Sequence, residues 1–147
     1  MKILIGVDDS PHSAAALEFV KRMTWPGGSE AVVVSAVRTA VALYSEVFIP
    51  VGQAESITDD LRKYHEELVA RAESQLRDCG FKTSTRVLMG DPREAILDMA
   101  KRECADLIVV GSHGRSGLTK LLMGSVASHV VTHAPCDVLV VRPRTKA

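Results

Sequence analysis

The residues best able to do chemistry are gathered between positions 111 and 126, GSHGRSGLTKLLMGSV, directly after the strand-like run DLIVVG. Its glycines are spaced as Gly111, two residues, Gly114, nine residues, then Gly124-Ser125. Glycine loses more backbone freedom on folding than any other residue, so such a concentration implies tight turning or close approach to the backbone. One chemistry that uses close approach is anion binding. Backbone N–H groups come near phosphate oxygens, and the partial positive charge of a helix N-terminus favours them. Ser125 opens a predicted helix, so its hydroxyl and the adjacent amides could donate to one phosphate, and Arg115 adds a multidentate cation. The spacing is neither a G-x-G-x-x-G fingerprint nor a Walker A loop. The alternative is a loop that merely turns, with Ser125 as a helix N-cap.

Other chemically capable residues are fewer. His113, inside the loop, has the reach of a general base toward a phosphate-bound water or of a backbone hydrogen-bonder. Asp8, Ser10 and His12 lie close in sequence but lack a strained G-x-S-x-G turn. Asp9, beside Asp8, could repel phosphate, help hold a metal, or act as plain charge near a helix start. His129 and His133 stand four apart on a predicted helix, a spacing that binds metal, with no third ligand apparent. No arginine finger, Walker B segment or kinase-like set accompanies the loop, so any ATP hydrolysis is expected to be slow.

Composition narrows the field. The chain of 147 residues has 18 Lys and Arg against 18 Asp and Glu, which gives no electrostatic footprint for nucleic acid. At this length one domain, residues 1–147, is expected. Cys79, Cys104 and Cys136 are scattered without a CxxC, which argues against zinc and against a disulfide framework and fits a reducing cytoplasm. No apolar run approaches the roughly 20 residues that span a bilayer. A cytoplasmic protein without a membrane partner is the expectation.

Elements must position the loop. Four aliphatic runs, ILIGV (3–7), AVVVSAV (31–37), LIVV (107–110) and VLVV (138–141), suit strands covered on both faces. KTSTRVL (82–88) is more polar and reads as an edge strand. Between them lie helices. The first is capped by Ser10 with Pro11 following, and carries Ala16, Phe19, Val20 and Met23 as its stripe. The second carries Ile57, Leu61, Tyr64, Leu68, Ala72 and Leu76 and stops at Gly80. The third opens on Asp91-Pro92-Arg93-Glu94 as a capping box. The fourth turns Val126, Ala127, Val130, Val131 and Ala134 to one side. Such alternation calls for a doubly wound α/β fold. With right-handed crossovers the first and fourth strands are central, so Val7-Asp8 and Gly111 flank the crevice where ligands of open α/β sheets bind. The connection 38–55 has no clean period but is apolar at Leu43, Tyr44, Val47, Phe48 and Ile49, as expected of a segment packed on its own domain or covering a ligand or partner.

Read together, these stretches resemble the universal stress protein family. GSHGRSGLTKLLMGSVA meets every fixed position of that family's nucleotide signature, G-x-x-G-(nine residues)-G-[ST]. KILIGVDDSPHSAAAL, GDPREAIL, ADLIVVGSHG and APCDVLVVR extend the likeness over nearly the whole chain. The resemblance implies a Rossmann-like, five-stranded parallel sheet in order 3-2-1-4-5 with helices on both faces, ATP binding and a homodimer. Asp8, with Val7 beside it, is then expected at the ribose and the backbone of Ala36 at the adenine. Gly111, Ser112, Gly114, Arg115, Gly124, Ser125 and Val126 are expected around the phosphates. Magnesium is expected through phosphates and water, without direct protein ligands. In that strand order Val138–Val141 is an apolar edge, a hazard relieved by pairing with a second copy. The functional expectation is an ATP-binding regulatory stress-response homodimer with an unidentified protein partner. The alternatives are a weak ATPase or phosphotransferase and a ligand-free structural dimer.

Overall fold

The computed structural model describes residues 1–38, 50–114 and 123–144. Its chain runs β1 (Lys2–Gly6), α1 (Pro11–Arg22), β2 (Glu30–Val37), α2 (Val51–Asp78), β3 (Lys82–Met89), α3 (Pro92–Arg102), β4 (Leu107–Gly111), α4 (Ser125–His133) and β5 (Asp137–Val141). The five strands form one parallel sheet in the order β3-β2-β1-β4-β5, as expected. Beyond β2 the residues 39–49 of the expected loop 38–55 lie outside the described residues, and Val51 to Glu55 already belong to α2.

The aliphatic runs of β1, β2 and β4 are continuous because both faces of these inner strands have helices to pack on. Ile3, Ile5, Ala31, Val33 and Val109 pack with Ala16, Leu17 and Val20 of α1 and Val69, Ala72 and Leu76 of α2. Leu4, Val32, Val34, Ile108 and Val110 point the other way, onto Ile96, Leu97 and Ala100 of α3 and Ala127 and Val130 of α4. Fully burying one such aliphatic side chain contributes about 1.5–3 kcal/mol, so these two layers hold the sheet ends in place. Polar β3 is at one edge and β5 at the other. Among the described residues no helix is long and apolar enough to cross a membrane.

Several helix expectations shift in detail. In α1 the buried positions are Ser13, Ala16, Leu17 and Val20, while Met23 is the extended C-cap and exposed. The buried face of α2 includes His65 and Val69 besides Ala72 and Leu76, which rotates the stripe one residue from the expected Tyr64 and Leu68. Val131 of α4 is exposed, because Ala127 and Val130 face the sheet. Asp91 does cap α3, accepting from Arg93 N–H at 2.9 Å, but the reciprocal half of a capping box is missing. Glu94 instead reaches His129 Nε2 on α4 at 2.8 Å. At the far end of α1, Trp25 donates its indole N–H to the Val20 carbonyl at 2.8 Å.

Candidate functional site

In a parallel sheet every strand leaves at the same edge, so the βα turns of β1, β2 and β4 converge there. They enclose a cleft of about 590 Å³. The end of β1 supplies Val7 and Asp8, the end of β2 supplies Ala36, and the exit of β4 supplies Gly111 and Gly114. Gly124, Ser125 and Val126 close the far wall at the start of α4. Of the expected site residues, Ser112 stands behind this wall, and Arg115 lies outside the described residues.

Ser112 is fully buried, and its polar groups are spent on the protein. Its N–H donates to the Val141 carbonyl at 2.8 Å and its carbonyl accepts from Gly124 N–H at 2.7 Å. Its hydroxyl stands between His12 Nδ1 at 2.9 Å and His113 Nδ1 at 3.2 Å. A hydroxyl has one proton, so at least one of these imidazoles donates to it. Burial, with the neighbouring His113 adding to it, holds His12 below the ordinary histidine value. Nε2 of His113 is buried and, among the described residues, unpartnered.

Two of the glycines are required by the chain's own packing. A Cβ on Gly111 would come within 2.6 Å of the His12 backbone, because the first turn of α1 lies directly on β4's exit. A Cβ on Gly124 would meet the His113 Cα at 3.0 Å and the Ser112 carbonyl at 3.1 Å, where the two ends of the loop cross. Glycine at these positions lets α1 lie against the exit of β4 and lets the Gly124 N–H reach the Ser112 carbonyl just before α4.

The start of α4 is the most reactive-looking surface of the cleft. Its N-cap is Gly124, which has no side chain to cap with; Ser125 is the first helical residue and not the cap. The first helical bond is Ser128 N–H to the Gly124 carbonyl, which leaves the amides of Ser125, Val126 and Ala127 without helical acceptors. All three residues line the cleft. Across from them Asp8 is held by an Asx-type turn, with Oδ1 accepting from Ser10 N–H at 2.9 Å and its own N–H donating to Ser13 Oγ at 3.0 Å. Its Oδ2 lies toward Gly114, 3.0 Å from where a side chain there would begin. Asp9 takes the Tyr64 hydroxyl at 2.8 Å and so braces α2.

Two polar residues of the cleft region escape sequence reasoning. His65 lines it from α2 and is buried, and its Nδ1 stands 2.7 Å from Ser35 Oγ. Ser35 in turn donates to the Val7 carbonyl at 2.7 Å. The available signals were a single hydroxyl inside the run AVVVSAV and a histidine four residues from both Leu61 and Val69. His129 and His133 are engaged with protein groups: their rings stack at 4.3 Å, His129 Nε2 meets Glu94, and His133 Nδ1–H donates to the His129 carbonyl at 2.9 Å. Among the described residues no group of three His, Cys, Asp or Glu could hold a metal ion.

Comparison with known proteins gives a consistent picture. The model of the universal stress protein family matches residues 1–142. A universal stress protein of Bacillus subtilis, YxiE, is 31% identical over 145 residues, covering 96% of this chain and 98% of its own. Among solved structures, protein MJ0577 of Methanocaldococcus jannaschii superposes with a TM-score of 0.85 at 26% identity, covering 99% of this chain and 97% of that one. More distant members of the same fold include one solved in complex with cAMP (TM-score 0.63, 21% identity, covering 96% and 95%). An Arabidopsis thaliana member was solved with AMP bound (TM-score 0.64, 16% identity, covering 99% and 93%).

Proposed function

We propose that this chain, which belongs to the universal stress protein family, is an ATP-binding regulatory protein that acts as a homodimer. The observation that carries the reading is the start of α4. A nine-residue helix begins at the cleft with Ser125, Val126 and Ala127, which line it and whose amides have no helical acceptors, beside Gly111, Gly114 and Gly124. Such a terminus favours an anion, both by its N–H groups and by its dipole. Phosphates would rest on Ser125 and Val126, against Gly111 and Gly114, with Arg115 as the added cation. Asp8, fixed on the opposite wall, suits a ribose hydroxyl, and the Ala36 backbone at the end of β2 suits a base edge. The distant members bound to AMP and cAMP support adenosine as the common part of the ligand. Magnesium would be carried by the phosphates and water, as this ion keeps several water ligands. When bound it would neutralise phosphate charge near Asp8.

Titrating nucleotide-free protein with ATP by calorimetry, with and without magnesium, tests this. Saturable binding near one per chain is expected, together with about 2.7 kcal/mol of added stability at 100 times the dissociation constant. Absence of heat together with an unmoved melting curve would overturn it. Gly114→Val, which crowds Asp8, should remove the binding and leave the fold intact.

The homodimer rests on β5, whose Val138, Leu139 and Val140 are only half-buried at the sheet edge. Antiparallel pairing with a second β5 would cover that edge. Val140→Pro removes one edge donor and should shift sedimentation from dimer to monomer. A wild-type protein that sediments as a monomer at micromolar concentration sinks this part.

A further inference from the structure

We infer that His65 and Ser35 are a positioning pair: they end the β1–β2 ladder at the cleft and thereby present the Ala36 backbone to the base of the nucleotide. The inference rests on the nucleotide reading given above and adds to it the device that shapes the base end. In the register of β1 and β2, Gly6 pairs with Val34, and the ladder continues one step further as Val7 N–H donates to the Val34 carbonyl at 2.8 Å. The next rung of a parallel ladder would run from Ala36 N–H to the Val7 carbonyl. That carbonyl instead accepts the Ser35 hydroxyl at 2.7 Å.

The hydroxyl's one proton is then spent, so His65 must donate its Nδ1–H to Ser35 Oγ across 2.7 Å. This fixes the imidazole as the Nδ1–H form on that side, and it fixes the hydroxyl rotor toward Val7. Both side chains are almost wholly buried, Ser35 at 2% exposure and His65 at 6%. Buried polar groups cost free energy unless paired, and the core needs neither of them. Valine at 35 would match the other residues of AVVVSAV, and leucine at 65 would continue the apolar face of α2. What the pair accomplishes is to occupy a backbone acceptor at the point where the strands part. The N–H and C=O of Ala36, which point the same way as those of Val34, are thereby directed into the cleft.

The test compares two probes, ATP and inorganic tripolyphosphate, on the full chain. Tripolyphosphate occupies the glycine-loop end alone, whereas ATP uses both ends. His65→Leu and Ser35→Ala should each weaken ATP about tenfold, the size of one lost buried hydrogen bond, and leave tripolyphosphate unchanged. The double variant should be no worse than either single one. His65→Asn, whose amide can donate from near the Nδ1 position, should recover most of the loss. Losses that are equal for both probes, or ATP binding that is unaffected in folded variants, would overturn the proposal. If His65→Leu does not fold, Ser35→Ala and His65→Asn decide by the same ratio. Wild-type protein that binds neither probe would remove the nucleotide reading itself. Binding of ATP with an unchanged probe ratio in the variants removes only the positioning pair.

Discussion

Helices α3 and α4 both start at the carboxyl edge of the sheet, pack on the same face, and touch through Glu94 and His129, yet their first turns are built oppositely. Asp91 caps α3 through Arg93 N–H, and the Arg93 guanidinium bonds the same carboxylate at 2.6 Å. The end is finished by the protein's own atoms. At α4 the cap is a glycine without a side chain, and Ser125, Val126 and Ala127, whose amides lack helical acceptors, line the cleft. A start capped from within has its donor spent, and one left uncapped is open to an acceptor from outside the chain. α1, capped by Ser10 through Ser13 N–H at 3.1 Å, sides with α3.

The contrast can be broken most sharply at Ser125. Ser125→Asp places a carboxylate on the open amides, which should weaken ATP about 100-fold or more by repelling phosphate. The same change should raise the melting temperature of the nucleotide-free protein slightly, since a negative charge at a helix start adds about 0.3–1 kcal/mol. Unchanged calorimetric affinity in Ser125→Asp would mean that this terminus is not the anion site.

At α3 the opposite pattern is expected. Asp91→Ala should cost about 1 kcal/mol in denaturant unfolding and leave ATP affinity alone. Asp91 also gives a pH signature. Hydrogen bonds from the Arg93 side chain and backbone lower its pKa from 3.8 to about 2. A depressed carboxylate stabilises the fold fully above its unfolded value and loses that contribution as pH falls through the folded one. Acid unfolding of wild type should therefore lose stability between 3.8 and about 2 that Asp91→Ala does not lose. Parallel acid curves for the two proteins would refute the assignment.

The smallest effect is expected where the two helices meet. Glu94→Gln alters a contact with His129 Nε2 whose carboxylate is 66% exposed, so melting should change by no more than about 1 kcal/mol. A larger loss would mean that α3 and α4 act as one rigid unit and that nucleotide affinity should follow.

Much of this was legible in the sequence. The aliphatic runs identify the three inner strands, β1, β2 and β4, because both faces of a parallel sheet are covered, and a fourth, VLVV, proves to be the apolar edge β5, while KTSTRVL identifies the polar edge. Caps at Ser10 and Asp91 were readable for the same reason: capping is local. What could not be read depends on partners far apart in the chain. The rotation of α2's buried face by one residue follows from what lies beneath it, and Val69 is as apolar as Leu68. The pairing of Ser35 with His65 spans thirty residues. The need for glycine at 111 comes from the backbone of His12, about a hundred positions away, and not from any ligand.

The indole of Trp25, the chain's single tryptophan, sits just past the end of α1 whose first turn borders the cleft. Twelve helical residues separate the two ends, about 18 Å. Its emission is therefore expected to report whether the domain is folded and to change little if nucleotide enters the cleft. Excited on the red side of adenine absorption, its fluorescence should follow unfolding with ATP present, and occupancy of the cleft would be read through a label carried by the nucleotide.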